Sequence, residues 1–210
     1  MARYRTTHNP ATGERIQYIV TGVESGGALV RYRWTSDPGG SIVEHTHPGS
    51  TETFTILDGA ATLTIEGRSV TLTEGQTAVV PAGAAHSEAN VTGTVVRGIV
   101  ELAPAALTAE LHDALAGIST DLPHTSTGAP RNLLQLGATF WYFRHDIRAT
   151  SPPTWLQNAF LPVLAAVARL GGVEAMRPSW TSRLPDDAPD PDPLFNEAEY
   201  GGALLRAGYA

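Results

Sequence analysis

The chain has 210 residues, of which 42% are hydrophobic, and a formal net charge of −7. This size suits one sizeable core with an appendage, and the acidic balance argues against a nucleic-acid surface, which needs a basic face. Because the chain has no Cys and all 14 of its basic residues are Arg, disulfides, thiolate nucleophiles, Cys-bound metals and a Lys Schiff base are excluded.

Runs of β-branched and aromatic residues predict a series of short β-strands in the first half of the chain. Turn residues at Gly26-Gly27, Asp58-Gly59 and Gly67-Arg68 separate them. The Asp-Gly pair is a hairpin signal, because the tight turn needs positive φ. Many short strands joined by tight turns indicate an antiparallel sandwich or barrel. The predicted strands are Arg15–Thr21, Ala28–Thr35, Thr53–Leu57, Ala61–Glu66, Ser69–Thr73, Thr77–Val80 and Thr94–Leu102.

The pattern becomes helical near Pro104. Gly117 is expected to end the first helix, and Gly171-Gly172 the last. Pro162 lies inside the last apolar pattern and is expected to kink or restart that helix. The acidic, proline-rich segment 183–193 predicts an extended, mobile strap. The predicted helices are Pro104–Ala116, Pro130–His145 and Leu156–Leu170.

The most informative constellation joins His45, His47, Glu52 and the distant His86. Alternate side chains of an extended strand share a face, so His45 and His47 should point the same way. Glu52 follows the turn-prone Pro48–Thr51 and can return a carboxylate to the same pocket. His86 lies beyond two further strand patterns and can close the site from across a sheet. These residues predict a metal site of nitrogen and oxygen ligands, suited to Mn, Fe, Co, Ni, Cu or a catalytic Zn.

With these residues in place, the chain resembles the cupin superfamily over roughly residues 28–102. The first cupin motif is Gly, five residues, His-x-His, three or four residues, Glu, six residues, Gly. The second is Gly, five residues, Pro-x-Gly, two residues, His, three residues, Asn. The first motif is matched by Gly39, His45, His47, Glu52 and Gly59, and the second by Gly75, Pro81, Gly83, His86 and Asn90. Residues 60–74 separate the motifs, a short spacing like that of compact bacterial cupins.

The resemblance implies a mainly β fold, a double-stranded β-helix (jelly-roll) barrel, here followed by a C-terminal α-helical extension. It implies that His45, His47, Glu52 and His86 bind one divalent metal ion, with about two of six coordination positions left open. Glu52 would bind the metal or serve as a general base. Fe(II) or Mn(II) is favoured, and Ni, Co, Cu and Zn stay open. The expected division is a cupin barrel over 1–103, a helical extension over 104–182 packing on the barrel or a dimer partner, and a proline-rich acidic strap over 183–210.

Three His and one Glu, with no other cofactor motif, predict a metal-dependent enzyme acting on a small organic molecule. An oxygenase of the cofactor-free, dioxygenase type is preferred. A redox-neutral isomerase, cyclase or lyase and a non-catalytic small-molecule binder stay open. The expected assembly is a homodimer. No apolar stretch approaches the ~20 residues of a membrane span, and no secretory signal is recognised at the start, so we expect a cytoplasmic protein without a membrane partner.

Other polar residues give weaker signals. Arg31 and Arg33 share one face of a strand and could hold a substrate carboxylate, although such pairs are more often solvated. The pair His145-Asp146 could form a catalytic dyad, but a structural hydrogen bond at a helix end is preferred. Asn90 is expected to shape a turn. Three histidines are expected at the surface: His8, His112 and His124.

Overall fold

The computed structural model describes residues 4–189, 191, 194–196, 201, 202 and 205. Within these residues most strands precede the helices, and one short strand lies between the second and third helix. The strands are β1 (Thr7–Asn9), β2 (Glu14–Val20), β3 (Val30–Ser36), β4 (Ser41–Thr46), β5 (Thr51–Asp58), β6 (Ala60–Ile65), β7 (Arg68–Thr73), β8 (Thr77–Val80), β9 (His86–Ala89), β10 (Val96–Ala103) and β11 (Arg148–Ala149). The helices are α1 (Thr108–Asp121), α2 (Leu133–Tyr142) and α3 (Thr154–Leu170), followed by a 3-10 turn at Pro178–Trp180.

The strands build two antiparallel sheets that enclose one core, as the jelly-roll expectation requires. One sheet has the order β1-β2-β3-β10-β5-β8, and the other β11-β4-β9-β6-β7. Alternation places Tyr32 and Trp34 of β3 in the core, with the neighbouring Arg31 and Arg33 on the opposite face. The fold is therefore a mainly β barrel with helices after it, which confirms the predicted fold class.

Asp58-Gly59 is not the turn of a hairpin, and that prediction is wrong. β5 pairs with β8 and β10, whereas β6 pairs with β7 and β9, so the chain changes sheets at this point. Gly59 does adopt φ +83°, and a Cβ there would lie 3.3 Å from Val95 O. The Asp-Gly pair thus predicts the positive φ of Gly59 correctly, but the chain uses this angle to pass from one sheet to the other at a corner.

Four of these strands were not predicted from the sequence: β1, β4, β9 and β11. They are short or carry polar residues, and sheet pairing rather than intrinsic propensity defines them. His45 lies on β4 and His86 on β9. The composition of these two segments did not predict strands, but the proposed arrangement of the site residues did require strands there.

Gly117 lies inside α1, and the prediction that it ends the helix is wrong. The ring of Trp180 packs on this glycine, where a Cβ would collide with it. Gly117 is therefore a packing residue, and α1 continues to Asp121. α3 runs through Pro162 without restarting and ends before Gly171, as predicted. Trp180, Phe143 and Leu111 belong to a second small core beneath α1.

α3 presents an exposed apolar stripe at alternating spacings of three and four. Its members are Phe160, Val163, Val167 and Leu170, and the last is 90% exposed. The pairing of this face with a second copy of the chain stays a prediction. No helix within the described residues has both the length and the apolar character needed to cross a membrane.

Part of the predicted strap, Leu194 and Phe195, packs on the barrel. Phe195 is buried with Leu57 and Ile99 on the outer face of the six-stranded sheet, and Leu194 packs beside it. Leu194 N donates to Gln17 Oε1 at 3.1 Å. The rest of the predicted strap includes residues 190, 192, 193, 197–200, 203, 204 and 206–210, which lie outside the described residues.

Candidate metal centre

The four predicted site residues come from both sheets and meet inside the barrel. His45 on β4 stands opposite His86 on β9, next to a register shift that begins after Ile42. His47 follows the end of β4, and Glu52 enters from β5 of the facing sheet. All four side chains are buried, and one ligand atom from each lies within 4.8 Å of the others. We call His45, His47, Glu52 and His86 the His/Glu cluster.

Distances within the His/Glu cluster match those between ligands of one ion. The Nε2 atoms of His45 and His47 are 3.2 Å apart, and His86 Nε2 is 2.8 Å from Glu52 Oε2. His47 Nε2 is 3.5 Å from the same oxygen. Neighbouring ligands with metal bonds of about 2.1 Å lie about 3.0–3.4 Å apart, whether octahedral or tetrahedral. These three separations lie close to that range, so the four ligand atoms are near enough to share one ion.

Backbone carbonyls fix which nitrogen of each imidazole faces the cluster. Each Nδ1 lies within hydrogen-bond distance of a carbonyl oxygen, which can only accept, so Nδ1 carries the proton. In the neutral ring, Nε2 is then an unprotonated donor atom directed at the centre, the arrangement found in histidine metal ligands. The three contacts are His45 to Val43 (2.9 Å), His47 to Asp146 (2.6 Å) and His86 to Ala84 (3.1 Å).

Two unprotonated Nε2 atoms at 3.2 Å direct their lone pairs at each other, which is unfavourable unless a cation lies between them. A proton on His45 is disfavoured, because burial, followed by the charges of His47 and His86, lowers its pKa to about 3. The donor set and its orientation thus fit a divalent ion bound through nitrogen and oxygen. The buried cluster suits a metal ion, and the ligand roles of its members are part of the proposal below.

Glu52 is the only acid of the His/Glu cluster. Burial opposes its ionisation, but the imidazoles of His47 and His86 outweigh that effect and lower the pKa of Glu52 to about 2. Burial likewise lowers the pKa of His86, yet the hydrogen bond with Glu52 outweighs it and the net shift is upward. Protons and a metal therefore compete for the same atoms, and metal affinity should fall in acid.

A second buried acid, Glu88, was missed by the sequence analysis. It lies two residues after His86 on the same face of β9 and is 2% exposed. Among the described residues neither of its carboxyl oxygens has a hydrogen-bond partner. Burial and the carboxyl of Glu14 raise the pKa of Glu88 well above its usual range, which the nearby Ser36 hydroxyl offsets only in part. The sequence could have indicated Glu88, because alternate residues of a strand share a face and Glu88 lies two residues after His86.

Glu14 gives a pH dependence of stability that can be measured. Burial raises its pKa from 4.5 to about 7, against the hydrogen bonds from Thr12 and Trp34. Between these values the folded chain keeps a proton that the unfolded chain releases, so the free energy of unfolding should fall as pH rises from 4.5 to about 7. Glu14→Gln should flatten this slope in urea unfolding, and Glu74→Gln, at an exposed site, should not. Equal slopes in wild type and Glu14→Gln would contradict the assignment.

The two arginines proposed as substrate contacts lie on the outer face of the sheet. Arg31 forms an ion pair with Glu101, with Nη2 2.6 Å from the carboxylate. Arg33 Nη1 donates to Gln17 Oε1 at 2.9 Å. Since Tyr32 between them faces the core, neither guanidinium is brought to the His/Glu cluster. Both guanidinium groups instead make contacts on the outer face of the sheet, so the structure does not support a substrate-binding role for them.

The other secondary candidates have structural roles. Asp146 Oδ1 accepts from Leu107 N at 2.6 Å at the start of α1, and His145 is exposed, so the preferred structural hydrogen bond is confirmed. Asn90 Nδ2 donates to two backbone carbonyls and Oδ1 accepts from Thr92 N, which shapes the turn as predicted.

Two of the three histidines expected at the surface, His112 and His124, are partly buried. His112 stacks on Tyr18 with ring centroids 6.4 Å apart, and its Nδ1 is 3.2 Å from the Tyr18 hydroxyl. Burial lowers the pKa of His112 to about 4. The prediction is wrong because α1 packs beside β1 and β2, a contact that no local pattern indicates. His8 is exposed, as expected.

Residues 32–112 match a family model described as "Cupin domain", and the match includes the whole His/Glu cluster. No curated protein matches the sequence at a significant level. One similar structure, from Thermotoga maritima, is described as a "predicted oxalate decarboxylase"; it has 20% identity and a TM-score of 0.44 over 48% of this chain and 93% of that one. An RmlC-like cupin from Shewanella frigidimarina has 19% identity and a TM-score of 0.42, and the alignment covers 49% of this chain and 85% of that one. A sugar phosphate isomerase of the cupin superfamily from Silicibacter pomeroyi has 21% identity and a TM-score of 0.41, and the alignment covers 48% of this chain and 69% of that one.

Proposed function

We propose that the His/Glu cluster, which lies within the residues 32–112 that match the cupin family model, binds one divalent metal ion and that the protein is a metal-dependent enzyme acting on a small organic molecule. The preferred reaction class is oxygenation without an organic cofactor, of the dioxygenase type. Fe(II) or Mn(II) is the proposed ion, and Ni, Co, Cu and Zn are the alternatives, because these donors do not by themselves select among them.

One observation supports the proposal above all others. Three Nε2 atoms and one ionised carboxylate oxygen converge in a buried site, and each Nδ1 is held by a backbone carbonyl, so that each Nε2 faces the centre and is free to bind an ion once any proton on it is displaced. When both rings are neutral, the Nε2 atoms of His45 and His47 face each other at 3.2 Å, an arrangement that a bound ion stabilises.

The histidines and the glutamate of the His/Glu cluster have different proposed roles. His45, His47 and His86 hold the ion, which when bound supplies a Lewis acid and, if redox-active, a route for electrons to oxygen. Glu52 stays ionised in the buried site, so its carboxylate can bind the ion or remove a proton from a substrate carbon or hydroxyl. The surrounding barrel core excludes water from the reacting groups.

A redox-neutral isomerase, cyclase or lyase is the second candidate, and Glu88 favours it. A buried carboxyl group whose oxygens lack partners among the described residues can bind a polar substrate group inside the same barrel. Such chemistry uses the ion only to polarise a carbonyl, needs no oxygen and runs with redox-inert Zn(II).

Oxygen consumption tests the oxygenase assignment directly. The protein, loaded in turn with Fe(II), Mn(II) or Zn(II), would be incubated with a panel of enolisable carbonyl compounds, hydroxy acids and phenols at an oxygen electrode. We expect uptake that needs both substrate and a redox-active ion, and that is lost in His86→Ala. Equal turnover under argon, or with Zn(II), would overturn the oxygenase and favour the redox-neutral class. Tight binding of a panel member without turnover would favour a non-catalytic binder.

A further inference from the structure

His47 is oriented differently from the other two histidines of the cluster. The Nδ1 atoms of His45 and His86 donate to carbonyls only two residues earlier in the sequence. His47 Nδ1 instead donates to the carbonyl of Asp146, 99 positions later in the helical extension. This contact is buried and, at 2.6 Å, is the shortest of the three.

The segment that carries this carbonyl is held on several sides. Asp146 Oδ1 accepts from Leu107 N at 2.6 Å, which joins it to the start of α1. Asp146 N donates to Phe143 O at 2.9 Å, and Phe143 is fully buried in the second core. Two residues later, β11 adds an edge strand beside β4.

β11 pairs with the part of β4 that carries His45 of the His/Glu cluster. Arg148 pairs with Thr46, and Ala149 pairs with His45, so the extension flanks the strand that carries the first imidazole. The backbone directly before His47 is thus bordered by a segment outside the two cupin motifs. Deletion or loosening of that segment would leave the His47 ring without its carbonyl partner.

We propose that Asp146 is a positioning residue of the metal centre: its backbone carbonyl orients His47, and its side chain locks that carbonyl in place against α1. The helical extension is then a working part of the centre, in addition to any role at the surface. This inference rests on the proposed ligand role of His47. Outer partners of ligand histidines fix ring orientation and raise basicity, and their loss costs about 10–100-fold in metal affinity.

Substitution at Asp146 separates its positioning role from general stability. Asp146→Ala removes the acceptor for Leu107 N and frees the carbonyl to move, so metal affinity should fall about tenfold, the lower end of that range. Asp146→Asn keeps an oxygen in the same place and should restore affinity to within about twofold of wild type. The matched control is Asp121→Ala, since Asp121 Oδ2 accepts from Trp180 Nε1 at 2.7 Å in the same extension.

The experiment titrates the full chain with Co(II), follows the visible absorption bands, and obtains Zn(II) affinity by competition. Urea unfolding of each metal-free variant reports its stability. We expect weaker binding and altered Co(II) bands in Asp146→Ala, recovery in Asp146→Asn, and wild-type binding in Asp121→Ala despite its lower stability. Unchanged affinity in Asp146→Ala, or equal weakening in Asp121→Ala, would overturn the inference while leaving the metal proposal intact. A wild-type chain that binds neither ion would overturn both.

Histidine NMR of the wild-type chain covers the case in which Asp146→Ala does not fold. Long-range nitrogen–proton correlation spectra identify the tautomer of each ring, with His47→Gln used to assign the signals. His47 should carry its proton on Nδ1, protected from exchange by Asp146. A His47 ring protonated on Nε2 alone, with no proton on Nδ1, would contradict the proposed orientation.

Discussion

His86→Ala is expected to remove bound metal almost completely, and His47→Ala should do the same. Loss of an outer partner of a ligand histidine weakens binding about 10–100-fold, so loss of the ligand itself should exceed that. The barrel should persist, because its apolar core is untouched by either change. Metal analysis of protein purified without an affinity tag gives the occupancy, and circular dichroism reports the fold.

The two variants should differ in stability. His86 is the hydrogen-bond partner of Glu52 at 2.8 Å, so its removal leaves a buried carboxylate with less compensation. His47 lies farther from that carboxylate, at 3.5 Å, and its removal should destabilise the metal-free chain less. His145→Ala, at an exposed residue beside Asp146, is the control and should keep full metal. Full occupancy in both cluster variants would place the metal site elsewhere.

Glu52→Gln is expected to separate metal binding from chemistry. The amide keeps the size and one oxygen of the side chain but removes its charge, so some metal should remain bound. Without an ionised carboxylate the chain loses its proton acceptor in the cluster, and general-base catalysis typically contributes about 10²–10⁴-fold to the rate. Turnover of any substrate found by the oxygen-electrode panel should fall by that order, measured at saturating metal.

The control for Glu52→Gln is Glu88→Gln, which changes a different acid in the same barrel. An unchanged rate in Glu52→Gln would remove its assigned role. A loss of rate in Glu88→Gln but not in Glu52→Gln would assign proton transfer to Glu88, which lies outside the His/Glu cluster.

The sequence predicted the site well where chemistry depends on spacing along the chain. Two complete motifs located His45, His47, Glu52 and His86, and the structure brings them together as expected. Strand alternation is a local rule and places His45 and His47 on one face, whereas the spacing of the two motifs indicated that Glu52 and His86 join them. The mainly β class was predictable for the same reason.

What the sequence did not reveal depends on contacts between distant segments. The carbonyl of Asp146 has no side-chain signature, and only the packing of α1 and β11 brings it to His47. Gly117 resembled a helix end until Trp180 was found to pack on it. Asp58-Gly59 had the backbone angle of a hairpin turn, but the partners of β5 and β6 place it at a corner. At Gly117 and at Asp58-Gly59, packing between distant segments decided the structure, against the interpretation that the local pattern favoured.

X-ray absorption spectroscopy of the Mn(II)- or Co(II)-loaded wild-type chain, with metal content determined on the same sample, is the most direct test of a shared ligand shell. About one ion per chain is predicted, with nitrogen and oxygen neighbours at roughly 2.0–2.2 Å and the outer-shell scattering of three imidazoles. An ion surrounded by oxygen alone, or the absence of stoichiometric metal, would contradict the account.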